Sequence, residues 1–416
     1  MKLIPDPQFT PEQEVLLWAI RVDHTKDQRV AEFLIAGVDW VYIRETAIQH
    51  GIIPLLYKRL KGEMVDLVPP DELSSLAKLF LTNSVNNLYK TQQLLKCLDI
   101  LSEAGIETLA FKGPALAFRA YGDLSMRSYC DLDILIHSSD FPSVYKILTN
   151  KGFIPKHVVD TRIKRKLLII QEKELQFFYQ NIVIEIHWNI LEKLLSIPLD
   201  QDQVWNRSVL IFPFERKVRT LSLEDTVILS CIHGTKHVWS DLKWLPDLAY
   251  LISNHPEIIW EEIFDRAGKM GVQRIVLLGL FLAKEHCGIR YLPAIENRFD
   301  SDTMIQNLAV TTTTHFFKCT EKGWFYTPPR FYLKSREGFC DRMTFISNSL
   351  KDIILEFIIP DNLDYNVISL PDPFFPLYVI IRPFRIFKDY CFRMISSALQ
   401  KNEDILDKNI FLSWKK

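Results

Sequence analysis

The 416-residue sequence predicts an α+β fold, in which a few strands between residues 105 and 215 lie between helical regions. Three observations predict it. Apolar residues recur at helical spacing as far as Gly105. Short alternating runs rich in branched residues follow, each bounded by a turn signal. Helical spacing then returns from Leu223 onward. The expected organisation is a helical region over 1–104, a strand-containing core over 105–215, a helical region over 216–300, and a helical or irregular region over 301–416.

In order, Pro11 followed by EQEVLLWAIR starts a helix with acids in its first turn. WVYIRETAIQHG predicts a second that ends at Gly51, and IIPLLYKRLKG a third. A long amphipathic stretch runs from Asp71 to Gly105. IETLAF then predicts a strand, KGPALAFRAYG a turn and helix, and CDLDILI a second strand. SDFPSVYKILTNKGF predicts a helix with a serine or aspartate N-cap and Gly152 as its stop. ELQFFYQ, a turn at Asn181 and IVIEIHW predict an antiparallel hairpin. Ser222, with Asp225 three residues on, matches a capping box before TVILSCIHGTKHVW.

Composition excludes several classes. Lys and Arg number 50 against 51 Asp and Glu, which disfavours a general nucleic-acid binder. The seven cysteines form no CxxC pair, so the expectation is buried free thiols in a reducing compartment. The N-terminus lacks a signal-peptide pattern, and no apolar run is long enough to span a bilayer. The reading is a cytoplasmic protein, with LPDPFFPLYVIIRPFRIF taken as a buried or partner-facing segment.

The chemistry centres on Asp131 and Asp133. Residues two apart on a strand share a face, so the two carboxylates project together while Leu132 and Ile134 face a core. Such a pair repels itself unless a cation intervenes, and a divalent ion resolves the conflict. On the later strand Val183, Glu185 and His187 share a face, which makes Glu185 the expected third carboxylate. His187 is read as a substrate contact or proton shuttle rather than a ligand. Lys112 and Gly113, at a strand-to-helix turn, suit a phosphate, as does Arg127 in the loop before Asp131. In CIHGTKHVW, His233, Lys236 and His237 are expected to line a cleft, with Asp247 beyond them; HGTKH lacks the glutamate of a zinc-hydrolase helix.

The stretch LAFKGPALAFRAYGDLSMRSYCDLDILI, with Glu185-Ile186-His187-Trp188 later, resembles the uncharacterised nucleotidyltransferases of the polymerase-beta-like superfamily. AIQHGIIPLLYKRL and LSLEDTVILSCIHGTKHVWSDLKWLPDLAYLI extend the resemblance on either side, and the C-terminal quarter matches only loosely. Two departures stand out. Glu185 replaces the more usual Asp, and Pro114 follows Gly113 where better-known members have serine. Proline has no N–H to donate, which shifts the grip on a triphosphate towards Lys112, Arg127 and metal.

The resemblance implies a small mixed sheet with helical additions. It implies transfer of a nucleoside monophosphate from a nucleoside triphosphate, dependent on magnesium (or manganese) held by Asp131, Asp133 and Glu185. The acceptor would be a small molecule, peptide or protein, in a biosynthetic or peptide-modification setting. The alternatives are a degenerate transferase fold that binds a nucleotide or peptide, with GWFYTPPRFY and PDPFFPLYVIIRPF as a docking surface, and a toxin-like enzyme acting on transfer RNA, against which the near-neutral charge weighs.

Overall fold

The computed structural model describes residues 9–23, 27–159, 161–318, 329–360, 362–368 and 370–388. The chain divides into two compact units, one of residues 1–156 and 172–345, the other of residues 157–171 and 346–416.

The first unit begins with helices Pro11–Ala19, Gln28–Ala36, Trp40–Gln49, Ile53–Glu63 and the 34-residue Pro70–Glu103. The capping box at Thr10 and Gln13, with Pro11 in the first turn, fixes where the first helix starts. In the longest helix Asn87 is buried and donates to the carbonyls of Leu124 (2.8 Å) and Arg127 (2.7 Å), so it holds the loop before the second strand.

Five strands form one mixed sheet: β1 (Leu109–Ala110), β2 (Asp131–Leu135), β3 (Ile154–Pro155), β4 (Glu174–Tyr179) and β5 (Ile182–His187). Their order is β1-β2-β5-β4-β3, and only β2 and β5 run parallel. The expected IETLAF strand is shorter than its pattern, because only Leu109 and Ala110 find partners on β2. The β4–β5 turn matches expectation, with Gln180 and Asn181 both at positive φ as a two-residue hairpin turn requires.

Strand parity divides the sheet into two chemically different faces. Leu132, Ile134, Phe177, Ile184 and Ile186 are buried on one, under the helix Phe141–Asn150, whose Tyr145 ring lies 6.0 Å from Phe177. Asp140 takes that helix's N-cap position, as expected of a serine or aspartate there, but makes no side-chain capping hydrogen bond. A second, two-stranded sheet pairs β6 (Val209–Ile211) with β7 (Val218–Thr220).

Helices Leu223–Lys236, Trp244–Asn254, Trp260–Lys269 and Gln273–Cys287 contribute to the same apolar core as the N-terminal helices. Ser222 caps the first of them by accepting from Asp225 N (3.1 Å), but the box is half made. The Asp225 carboxylate turns instead to Arg207 and Arg266. After Lys236 the backbone passes through positive φ at Val238 and Trp239, which folds the Trp239 ring back beside Gly234. Trp239 is fully buried, and its backbone N–H donates to the Gly234 carbonyl at 2.7 Å.

Thiols are free at Cys97, Cys130, Cys231, Cys287 and Cys340, but Cys130 and Cys340 are exposed, contrary to the expectation of burial. Cys319 and Cys391 lie outside the described residues, as does most of GWFYTPPRFY. Among the described residues no helix is long and apolar enough to cross a membrane.

The second unit contains the helix Arg162–Gln171, the end of the helix Phe339–Ile358, and Asn362–Val367. Buried Asp364 pairs with Arg382 and Arg385. In the segment from Leu370 only Tyr378 and Arg382 are well buried, while Phe374, Ile380, Phe384 and Phe387 are exposed. Of the two expectations for this segment, buried or partner-facing, burial holds for Tyr378 but not for these four apolar residues.

Two stability predictions follow from this packing. A Cβ at Gly279 would meet Cys231 Sγ at 2.6 Å and the Trp239 ring at 2.9 Å. Gly279→Ala should lose about 1–3 kcal/mol to overpacking, more than the roughly 1 kcal/mol gained in helix propensity. Cys231→Ala should restore part of that loss in chemical denaturation.

His50 is buried and accepts the Leu242 N–H at 3.3 Å. Burial, with Lys243 nearby, holds its pKa at about 4. Because this lies below the ordinary value, the contribution is complete above pH 6.5 and is lost as pH falls towards 4. It is on the order of 3 kcal/mol. His50→Gln should flatten the fall in unfolding free energy over that range.

Candidate active site

The parallel register places Asp133 directly opposite Glu185, and Leu135 opposite His187. The hairpin register adds Gln176 beside Glu185 and Glu174 beside His187. One face of three adjacent strands thus carries Asp131, Asp133, Glu185, His187, Gln176 and Glu174. Asp133, Glu185 and His187 are buried, and each offers a ligand atom within 4.8 Å of the others. Asp131, on the same face and half-buried, is not among those three. His187, expected as a substrate contact or proton shuttle rather than a ligand, is.

His187 Nε2 lies 3.1 Å from Asp133 Oδ1 and 3.4 Å from Glu185 Oε2, and Nδ1 lies 3.1 Å from Glu174 Oε2. These are charge contacts, since neither ring nitrogen has an aligned hydrogen-bond partner and buried Asp133 Oδ2 has none either. Gln176 Nε2 donates to Glu185 Oε1 at 2.8 Å. Phe111 packs edge-on against the His187 ring at 5.0 Å. Buried carboxylate oxygens and an imidazole with unused capacity form a donor set that fits a divalent cation.

Lys112 caps the start of the helix Gly113–Tyr121 and reaches Asp133 Oδ1 at 3.3 Å. Gly113 sits at φ +49°, and a Cβ there would lie 3.3 Å from the Asp131 carbonyl, so both the turn and the close approach to β2 require glycine. The Ala115 and Leu116 N–H groups turn back onto the Lys112 carbonyl, at 3.1 and 3.4 Å. The cation, more than the backbone, therefore faces the site.

The electrostatics follow from burial and neighbours. Burial alone would raise the Asp133 carboxyl, yet Lys112 and His187 hold it well below the usual carboxylate range. Asp131 moves the other way, raised by burial and then by the Asp133 and Glu185 charges. Burial opposes the Lys112 and His187 charges, but the surrounding carboxylates raise both pKa values.

Arg127 is buried and spends its Nε–H on Asp247 Oδ2 at 2.8 Å, while the Tyr121 hydroxyl donates to Asp247 Oδ1 at 2.9 Å. Both members of the Arg127–Asp247 pair line a cavity of ≈ 790 Å³, measured out to its open mouth, together with Phe111, Lys112, His233 and Lys236. Lys236 pairs with Glu192 there. His237, just past the helix end, is not a lining residue; its ring lies 4.9 Å from His233 and 5.2 Å from Trp244. Burial foremost, then Lys112, keeps His233 neutral, and burial with Lys236 brings His237 to about 4.

Glu174, Gln176, Tyr121 and Glu192 were not singled out from the sequence. The first two were within reach, because a two-residue turn at 180–181 forces Glu174 opposite His187. Nothing in the sequence pairs Tyr121 with Asp247.

The profile of the uncharacterised nucleotidyltransferase family matches residues 36–288. The chain belongs to that family. The match takes in the sheet, the acid cluster and every residue lining the cavity. No curated protein matches the chain. The solution structure of the antibiotic-resistance factor ANT(2'')-Ia shows a slight similarity, with a TM-score of 0.31 and 13% identity over 43% of this chain and 91% of that one. That likeness is too slight to argue from.

The Arg127–Asp247 pair should behave as a buried ion pair. Asp247→Leu leaves a buried guanidinium without its carboxylate and should cost about 3–5 kcal/mol, while the Arg127→Met/Asp247→Leu double variant should recover much of it. A double-mutant cycle by urea denaturation measures the coupling.

Proposed function

We propose that this nucleotidyltransferase is metal-dependent and moves a nucleoside monophosphate from a nucleoside triphosphate to an oxygen of a small-molecule, peptide or protein acceptor. The observation that carries the reading is the convergence of Asp133, Glu185 and His187, each with a ligand atom within 4.8 Å of the others, together with a buried carboxylate oxygen of the cluster, Asp133 Oδ2, that has no hydrogen-bond partner. The two carboxylates suit magnesium or manganese, and the imidazole shifts the preference towards a transition ion such as manganese. When bound, the cation neutralises charge on the triphosphate and on the departing pyrophosphate.

The chain's own groups do the rest. Lys112, 3.3 Å from Asp133, sets a positive charge beside the acids, where it meets the phosphates. Arg127, oriented by Asp247 and Tyr121, adds a second from the cavity wall. Asp131 lies on the same strand face and completes the acidic surround that the sequence suggested. The acceptor oxygen bonds to the α-phosphorus, the bond to the bridging oxygen breaks, and pyrophosphate leaves with that electron pair. The acceptor proton passes to a carboxylate of the cluster. Rate comes from positioning and charge stabilisation.

Thermal shift with manganese and each of the four common nucleoside triphosphates tests this reading. Metal-dependent stabilisation is expected in the native chain and should disappear in Asp133→Asn. Pyrophosphate release should fall in that variant on the order of 10²–10³-fold. Triphosphate binding that survives Asp131→Ala/Asp133→Ala would overturn the metal-centred reading. Metal-dependent binding with no pyrophosphate release from any acceptor would favour the binding-module alternative.

A further inference from the structure

We infer that the cavity beside the acid cluster is the acceptor pocket, and that the acceptor is a small molecule with an apolar body and a nucleophilic hydroxyl. This rests on the transferase reading above and adds the substrate class to it.

Adjacency is the first support. Phe111 and Lys112 line the cavity, and the same two residues touch the acid cluster, Phe111 through the His187 ring at 5.0 Å and Lys112 through Asp133 at 3.3 Å. A ligand filling the cavity therefore ends beside the carboxylates.

The chemistry of the wall is the second support. Leu116, Ile190, Leu195, Leu221, Leu229 and Ile232 supply an aliphatic lining, and Trp244 adds an aromatic one. Each cation in the wall already has an acid: Lys112 has Asp133, Arg127 has Asp247, Lys173 has Glu174 and Lys236 has Glu192. A polycationic acceptor would need uncommitted carboxylates in this wall, and a polyhydroxylated sugar would need many donors and acceptors. The wall carries four cations against two acids, Glu192 and Asp247, which disfavours a polycation, and its aliphatic stretch offers no polar partner to the ring hydroxyls of a sugar.

A nucleobase fits less well than an apolar body. Its edge needs several uncharged polar partners, but Thr226 already donates its hydroxyl to the Ser222 carbonyl at 2.6 Å and accepts from Arg119 at 3.4 Å, which leaves the Ser230 hydroxyl and the His233 ring. His233 is held neutral, so its imidazole adds no charge to the wall. The hydroxyl oxygen of the bound acceptor attacks the α-phosphorus as described above, with pyrophosphate leaving and the proton passing to the carboxylates.

The test uses the full chain and 2-(2-naphthyl)ethanol as the probe, followed by calorimetry. One saturable site is expected, and its affinity should be unchanged when manganese and a saturating nucleoside triphosphate are present. Ser230→Trp, from a half-buried position on the cavity wall, should weaken probe binding at least tenfold. Leu191→Asp, in a loop on the same wall, should do the same and serves if the first variant does not fold. With manganese and triphosphate present, the probe should also stimulate pyrophosphate release.

Absence of saturable binding overturns the inference, as does unchanged binding in both variants. Displacement of the probe by triphosphate overturns it in favour of a nucleobase pocket. Tighter binding of methyl glucoside or spermine, abolished by the same variants, overturns the apolar class. Probe binding with no metal-dependent triphosphate binding instead overturns the transferase reading, so the two failures are distinguishable.

Discussion

The arrangement of the whole first unit turns on how two buried carboxylates are kept side by side. Parallel pairing of β2 with β5 sets Asp133 against Glu185, in a sheet whose other face is packed with Leu132, Ile134 and Ile184. Taking two like charges out of water is costly unless opposite charge is brought to them. Lys112 brings one cation from the turn after β1, and His187 brings an imidazole from the same strand as Glu185. The turn at Gly113 matters for this reason, since its positive φ and missing Cβ let Lys112 reach the acids while its backbone passes close to Asp131.

A second buried charge pair ties the sheet to the helices behind it. Asp247 belongs to the helix Trp244–Asn254, yet it takes Arg127 from the loop before β2 and Tyr121 from the helix after β1. Asn254 adds a bond to the Ala120 carbonyl, and the Tyr121 and Tyr250 rings lie 4.9 Å apart. Asn87 holds the far side of the same loop from the long N-terminal helix. The cavity forms where these elements meet, lined by Lys112 and by residues of the helix Leu223–Lys236. Acid cluster and cavity thus share their supports, and a change at either ion pair is felt by both.

Much of this was legible from residue order. Strand parity put Asp131 with Asp133 and Glu185 with His187, and the Asn181 turn defined the hairpin; these are local periodicities that the backbone imposes. Parity says which face a side chain takes, but not which side chains on that face converge. Hence His187, read as a substrate contact or proton shuttle, lies in the converging set, and Asp131, read as a metal ligand, does not. Arg127 was placed near the site, but its partner Asp247 is 120 residues away and no local pattern links them. The C-terminal apolar run was left as buried or partner-facing because hydrophobic composition does not determine burial, which depends on whether another element covers it.

By itself, then, the sequence determined the element types, the two faces of the sheet and the acidic character of one of them, because these depend on neighbours one to four residues apart. Tertiary structure alone decided that β2 and β5 lie side by side and parallel, that Lys112 and His187 are the groups neutralising Asp133, and that a largely apolar cavity opens beside them. Those outcomes depend on pairings between residues distant along the chain, whose energies arise only when burial removes the water that would otherwise screen them.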